Sequence, residues 1–204
     1  MVSFSPGGAA MRILSILINL GIFLSVAVIH WRFFHKDGAW DFSEAGVFFR
    51  YFTVQSNILC ALAACAMAAA QIAGNVPGWV LLFKYLGTVA VTVTLMTVLI
   101  YLGPAYGYKL LLSGRDLYLH LIGPVLAILS FLLLEKKEMH LGTALLGLLP
   151  VLLYGMLYLW KVVYCPEEKR WEDFYGFNKD GKWPVSYGIM VAGTLVICLL
   201  FYFL

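Results

Sequence analysis

Six long apolar segments constrain this chain more than any other feature of its sequence. They cover approximately residues 9–30, 46–72, 78–102, 117–134, 141–163 and 184–204. A helix needs about 20 mostly apolar residues to cross roughly 30 Å of hydrocarbon, and it satisfies its own backbone polar groups. With 62% hydrophobic and 12% charged residues, the chain has too little charge to coat a water-soluble protein. The sequence therefore predicts an all-α, polytopic membrane protein with a single bundle of six transmembrane helices, forming one domain over residues 1–204.

The connections between these segments differ in length. Six passes place the longer loops 31–45, 103–116 and 164–183 on one face and the short links 73–77 and 135–140 on the other. The long-loop face holds the cations Arg32, Lys36, Arg50, Lys109, Arg115, Lys161, Lys169, Arg170, Lys179 and Lys182; the other face holds Arg12, Lys84, Lys136 and Lys137. The positive-inside rule then predicts cytoplasmic long loops. The net charge of only +3, spread over several loops, predicts no nucleic-acid partner.

The second segment carries a polar stripe. Arg50, Thr53, Asn57 and Cys60 recur at intervals of three and four residues, with Ser56 beside them, which places them on one side of a helix. Polar side chains within a membrane are costly and are candidates for function. The stripe predicts a site where a second polar helix faces it.

The fourth segment offers such a partner. Asp116 and His120 are four residues apart, so the carboxylate is expected to hold the imidazole in one tautomer. Pro124 removes the helical partner of the His120 carbonyl and predicts a kink. Both helices enter from the long-loop face, with Thr53 about 10 Å and His120 about 5 Å beyond their helix starts. A hydroxyl and an imidazole at similar depth can serve as nucleophile and general base.

Other interpretations remain open at this point. Membrane threonines commonly bond their own i−4 carbonyl, and a single membrane histidine is often an interhelical hydrogen-bond partner. A rhomboid-like protease would place its serine in a GxSG turn, which QSN around Ser56 lacks. A haem site needs a second histidine at matching depth. A small transporter, or a non-enzymatic lipid-binding or scaffold protein, is the alternative to an enzyme.

Two segments resemble a known family. RYFTVQSN around Thr53 and LYLHLIGP around His120 are similar to the signature segments of the androgen-induced-gene and androgen-dependent TFPI-regulating protein family of six-pass membrane threonine hydrolases. Its eukaryotic members cleave fatty acid esters of hydroxy fatty acids, using one threonine and one histidine within the membrane. The resemblance implies a lipid carboxylic ester hydrolase, here a bacterial relative in an inner membrane, without metal or cofactor.

Carried onto this sequence, the resemblance makes Thr53 the nucleophile and His120 the base, and Arg50 matches a basic position three residues before the threonine. Helical spacing adds further candidates. Ser56 or Asn57 is expected to donate to the developing oxyanion, and Arg50 or Arg115 to anchor a substrate carboxylate. The expected partners are a fatty acid ester and the bilayer.

Overall fold

The chain is all-α and polytopic, as predicted. A computed structural model describes residues 6–204, and within them six helices are long and apolar enough to cross a membrane. These are α1 (Pro6–Phe34), α3 (Phe52–Ile72), α4 (Gly78–Tyr106), α6 (Gly114–Glu135), α7 (Leu141–Tyr164) and α8 (Trp183–Phe203). The short helices α2 (Ala45–Phe48) and α5 (Tyr108–Leu111) lie in the loops before α3 and α6. The protein is therefore a multi-pass membrane protein.

The second predicted helix begins later than expected. Residues 46–51 do not continue α3, because Tyr51 is extended (φ −80°, ψ 132°) and separates α2 from α3. The preceding loop also holds a two-stranded hairpin of β1 (His35–Lys36) and β2 (Ala39–Trp40), paired antiparallel. Asp37 and Gly38 turn the hairpin with positive φ angles of 51° and 80°, as an Asp-Gly pair favours. Thr53 is consequently the second residue of α3 and lies in its first turn.

The structure consists of two compact units, Met1–Glu138 and Met139–Leu204, which are described separately. The expectation of one domain and one bundle stays a prediction. In the first unit, α3 packs against both α1 and α4. Its alanines make this approach close, and a Cβ on Gly87 of α4 would lie 2.8 Å from the Cys60 Cα. Small residues allow such packing where hydrocarbon supplies no hydrophobic drive between helices.

The core of the first unit joins all four of its long helices. Ile22 of α1, Cys60 and Ala64 of α3, Val91 of α4 and Ala127 of α6 form one buried cluster. A neighbouring cluster of Val26, Ala61 and Leu119 also brings α1, α3 and α6 together, with Leu119 next to His120 in the chain. Packing therefore fixes α3 and α6 against each other at the level of the candidate site.

The second unit contains α7, α8 and the loop between them. Gly155 of α7 admits α8 closely, since a Cβ there would meet Met190 at 2.6 Å. The loop is organised by the Asp173 carboxylate, which accepts hydrogen bonds from the Tyr158 hydroxyl (2.9 Å) and from the backbone N–H groups of Phe177 (2.8 Å) and Asn178 (2.7 Å). This loop is thus folded onto α7 and has a defined shape.

Candidate active site

The structure brings Thr53 and His120 together. Thr53 Oγ1 lies 3.3 Å from His120 Nε2, although the residues are 67 positions apart in the chain. Thr53 is partly exposed in the first turn of α3, whereas His120 is 9% exposed within α6. The pair lies at one end of the first unit, within hydrogen-bonding distance.

The other ring nitrogen of His120 identifies its tautomer. Nδ1 lies 2.7 Å from the backbone carbonyl oxygen of Leu111. A carbonyl can only accept, so Nδ1 carries the proton and Nε2 presents its lone pair to the Thr53 hydroxyl. This is the arrangement that a general base requires. It corrects the expected role of Asp116, because the residue that orients the imidazole is Leu111.

The helix geometry explains why Asp116 does not reach the ring. Residues Tyr118–Ile122 form a π-helical turn in which the Gly123 N–H bonds the Tyr118 carbonyl five residues earlier. Pro124 has no N–H for the His120 carbonyl, and its ring would crowd that oxygen in a regular α-helix, so a wider turn gives the ring room. The wider turn changes the angle between positions 116 and 120. Asp116 lies instead with Oδ1 3.6 Å from Arg115 Nε.

The loop that supplies the Leu111 carbonyl is braced against α4. The Tyr108 hydroxyl donates to the Leu99 carbonyl at 2.7 Å. The Tyr108 ring covers Gly103 so closely that a Cβ there would lie 2.1 Å from a ring carbon. Gly107 and Gly114 bound the segment with φ angles of 92° and 55°, values that favour glycine. Together these contacts hold α5 so that its last residue faces His120.

Asn57 links the two helices of the site. Its side-chain amide donates to the Thr53 carbonyl at 2.8 Å and to the Leu119 carbonyl at 3.0 Å. A primary amide has two N–H donors, and both are used here. The expected donation from Asn57 to an oxyanion is therefore corrected: Asn57 fixes the separation of α3 and α6.

Ser56 is also committed elsewhere. It is 1% exposed, and its hydroxyl lies 2.8 Å from Thr94 Oγ1 on α4 and 3.2 Å from the Thr53 carbonyl. Its expected role as an oxyanion donor is likewise replaced by a packing role between α3 and α4. Arg50 lies three residues before Thr53 in the chain, and its Nε donates to the Gly46 carbonyl at 3.1 Å.

A backbone group offers the donor that these side chains do not. The first N–H groups of a helix have no partner within the helix. The Val54 and Gln55 N–H groups bond the Tyr51 carbonyl, while the Thr53 N–H has no hydrogen-bond acceptor among residues 6–204. This N–H lies at the positive end of the α3 dipole, beside the Thr53 hydroxyl. It is available to stabilise negative charge at that point.

A second polar cluster lies at the far end of the same unit. Its buried members are Ser15, Asn19, Gln71, Lys84, Ser130 and Glu135. Lys84 Nζ lies 2.6 Å from Asn19 Oδ1 and 3.7 Å from Glu135 Oε2, and both charged side chains are 0% exposed. Gln71 is eighteen residues after Thr53 on α3, which separates the two sites by about 27 Å.

The buried pair corrects the sequence interpretation of both residues. Lys84 was counted among the cations of the short-loop face and Glu135 was placed in a link, whereas both side chains are buried inside the first unit. The sequence did carry a signal for this pair, because each is a charged residue inside or beside an apolar segment. Within the described part of the chain, no group of three or more His, Cys, Asp or Glu side chains is placed to hold a metal ion.

Comparisons with known proteins found no match for this chain. No protein-family model, no curated protein and no solved structure matches it. The resemblance of RYFTVQSN and LYLHLIGP to the androgen-regulated hydrolases therefore stays a prediction. The case for a function rests on the geometry around Thr53.

Proposed function

We propose that this protein is an intramembrane threonine hydrolase that cleaves lipid carboxylic esters. The observation that carries the proposal is the 3.3 Å separation of Thr53 Oγ1 and His120 Nε2, with Nδ1 anchored on the Leu111 carbonyl. A nucleophile, a base and a group that orients the base are the parts needed for covalent acyl transfer.

The chemistry follows from these three groups. His120 Nε2 takes the Thr53 hydroxyl proton as Oγ1 attacks the ester carbonyl carbon. The tetrahedral intermediate collapses, the C–O bond to the alcohol breaks, and Nε2 returns the proton to the leaving alcohol. Water then gives a proton to Nε2 and attacks the acyl-threonine. Collapse of the second intermediate releases the carboxylic acid and restores the Thr53 hydroxyl.

The oxyanion of both intermediates requires a donor. The Thr53 N–H is without another acceptor in the described residues and projects from the same turn as the nucleophile. In this proposal it donates to the oxyanion, assisted by the α3 dipole. Removing one such donor from a hydrolase typically costs about 3 kcal/mol of transition-state stabilisation.

The surroundings of the dyad favour a lipid substrate. Both side chains are carried by helices that are long and apolar enough to span a bilayer. The Thr53 end of α3 is adjacent to Arg50, a cation that a substrate carboxylate would neutralise. A fatty acid ester of a hydroxy fatty acid fits this pattern and agrees with the resemblance. We further propose a bacterial inner membrane with the loops 31–45, 103–116 and 164–183 in the cytoplasm.

A fluorophosphonate ester probe tests the proposal on the purified full chain. We expect the wild-type protein and Thr53→Ser to be labelled, whereas Thr53→Ala and His120→Ala are not. Thr97→Ala and His140→Ala are the matched controls, since they remove the same groups at positions outside the dyad. Mass spectrometry should find the adduct on the peptide that contains Thr53.

Labelling that persists in both Thr53→Ala and His120→Ala would reject the dyad. Ester hydrolysis in detergent and solute flux in proteoliposomes should be measured on the same variants. Flux that survives both changes, without hydrolysis in the wild type, would favour the transport alternative.

A further inference from the structure

An open groove lies between α1 and α6 in the first unit, with a volume of about 740 Å³. Its floor is mostly apolar, and Thr53 and His120 do not line it. Its lining includes Leu24, Val28, Arg32 and Phe33 of α1 and Arg115 of α6. This size lies in the range of sites that hold a small molecule, which is about 300–1,000 Å³.

The groove changes character along its length. Leu24, Val28 and Arg32 follow one another at four-residue intervals on one face of α1, so they extend over about 12 Å. The inner end is apolar and exposed, with Leu24 56% and Val28 47% accessible. The outer end, near the C-terminus of α1 and the start of α6, carries the two arginines. An amphiphile with one acyl chain and an anionic head matches this gradient.

The positive charge at the outer end is not balanced locally. Arg115 lies 3.6 Å from Asp116, but their side chains are 52% and 40% exposed, and such pairs contribute little. The Arg115 guanidinium also lies 5.0 Å from the centre of the Phe33 ring, which holds it over the groove. Arg32 is exposed and has no ion-pair partner among residues 6–204. Two guanidinium groups therefore face one carboxylate.

We propose that this groove binds one anionic phospholipid of the surrounding bilayer. The phosphate lies between Arg32 and Arg115, whose planar donors suit phosphate oxygens. One acyl chain follows Val28 and Leu24 towards the middle of the membrane. This site is separate from the dyad, and it does not depend on the proposed hydrolysis.

Native mass spectrometry of the full chain tests the site with two lipids. Dioleoylphosphatidylglycerol and dioleoylphosphatidylcholine have the same acyl chains and differ only in the headgroup, which is anionic in the first and zwitterionic in the second. We expect one phosphatidylglycerol to bind at least about fivefold more tightly than phosphatidylcholine, because two arginines attract its charge. In the Arg32→Gln/Arg115→Gln variant the two lipids should bind within about twofold of each other, since only the acyl-chain contacts remain.

Two variants separate this site from general effects. Val28→Trp fills the inner groove and should weaken both lipids, whereas Lys109→Gln removes an exposed cation outside the groove and should leave the preference intact. His120→Ala should keep the preference even though it abolishes probe labelling. Equal wild-type affinity for both lipids, a preference that survives loss of both arginines, or a protein dimer in place of the lipid adduct would overturn the proposal.

Discussion

His120 is held through both of its ring nitrogens, and this is the feature on which the candidate site depends at the scale of single residues. Nδ1 bonds the Leu111 carbonyl, and Nε2 faces the Thr53 hydroxyl. A ring free to rotate or to change tautomer would present an N–H to Thr53 for part of the time and could not accept its proton. The position of Leu111 is therefore as important as the side chains of the dyad.

Tyr108→Leu should impair the Thr53–His120 dyad, although it changes neither of these two residues. The change removes the hydroxyl bond to the Leu99 carbonyl and the ring packed on Gly103, so α5 loses its brace. Because general-base catalysis contributes about 10²–10⁴-fold, we expect the labelling rate to fall by at least about tenfold. Nitrogen-15 NMR of His120 should show a larger fraction protonated at Nε2. Tyr106→Leu, at the exposed last residue of α4, is the control.

Asn57→Leu should destabilise the first unit and slow labelling. It leaves the Leu119 carbonyl without its Asn57 amide donor, while the Thr53 carbonyl keeps the Ser56 hydroxyl as a donor. Buried acceptors that lose their partner cost about 1–3 kcal/mol, so the thermal unfolding midpoint in detergent should fall. A variant with an unchanged midpoint and full labelling would show that Asn57 does not set the spacing of the dyad.

Helical periodicity alone could place Thr53 and His120 near a common site, because each lies on a long apolar helix that must bury its polar side chains against another. It could not identify Leu111, since a backbone carbonyl has no residue type that marks it. The Asp116 prediction failed because it assumed regular α-helical spacing through Pro124. Assuming an unbroken helix also put the predicted start of this span at residue 46, whereas Tyr51 interrupts the helix and α3 begins at Phe52.

At the scale of secondary-structure elements, two long helices of the first unit share a π-helical turn followed by Gly-Pro. In α4 the π-helical turn Val98–Leu102 precedes Gly103 and Pro104, and in α6 the turn Tyr118–Ile122 precedes Gly123 and Pro124. In each case a proline cannot bond the carbonyl four residues earlier, and a wider turn accommodates its ring. Both turns adjoin the site, one through Gly103 and Tyr108 and the other through His120.

Pro124→Ala should remove the dyad while preserving the helix. Alanine restores the N–H and permits a regular α-helix. An α-helical turn holds about one residue fewer than the π turn that it replaces, so the outer part of α6 rotates by about 100° relative to the rest of the helix. We expect fluorophosphonate labelling to be lost and the circular dichroism of the helices to remain unchanged. Pro150→Ala in α7 is the control. Full labelling of Pro124→Ala would mean that the π turn does not depend on proline.

The first unit carries two polar centres at the scale of the whole molecule, one at each end of α3. The dyad is partly exposed, whereas the Lys84–Glu135 centre is closed to solvent and joins α1, α3, α4 and α6. Composition and segment length predicted the number of helices, because the bilayer imposes both. They could not predict this centre, because it depends on which helices are neighbours.

Removing one charge of the Lys84–Glu135 pair should lower the stability of the protein more than removing both charges. Lys84→Met leaves the Glu135 carboxylate without its cation, which typically costs about 3–5 kcal/mol in stability. Adding Glu135→Gln removes the uncompensated charge and retains an acceptor for Ser15 and Ser130, so stability should partly recover. Thermal unfolding in detergent measures both variants, with Lys137→Met as an exposed control. A double variant less stable than Lys84→Met would contradict this account.

The buried pair also constrains how the nascent chain matures. Lys84 leaves the ribosome before Glu135, and it is six residues inside α4, about 9 Å from that helix's first residue. A lysine ammonium without a counter-charge costs up to roughly 2.5–3.5 kcal/mol at the bilayer centre, and less near a helix end, where its side chain can reach the interface. Because Glu135 on α6 supplies the counter-charge, we expect α4 to enter lipid more readily when α6 is present.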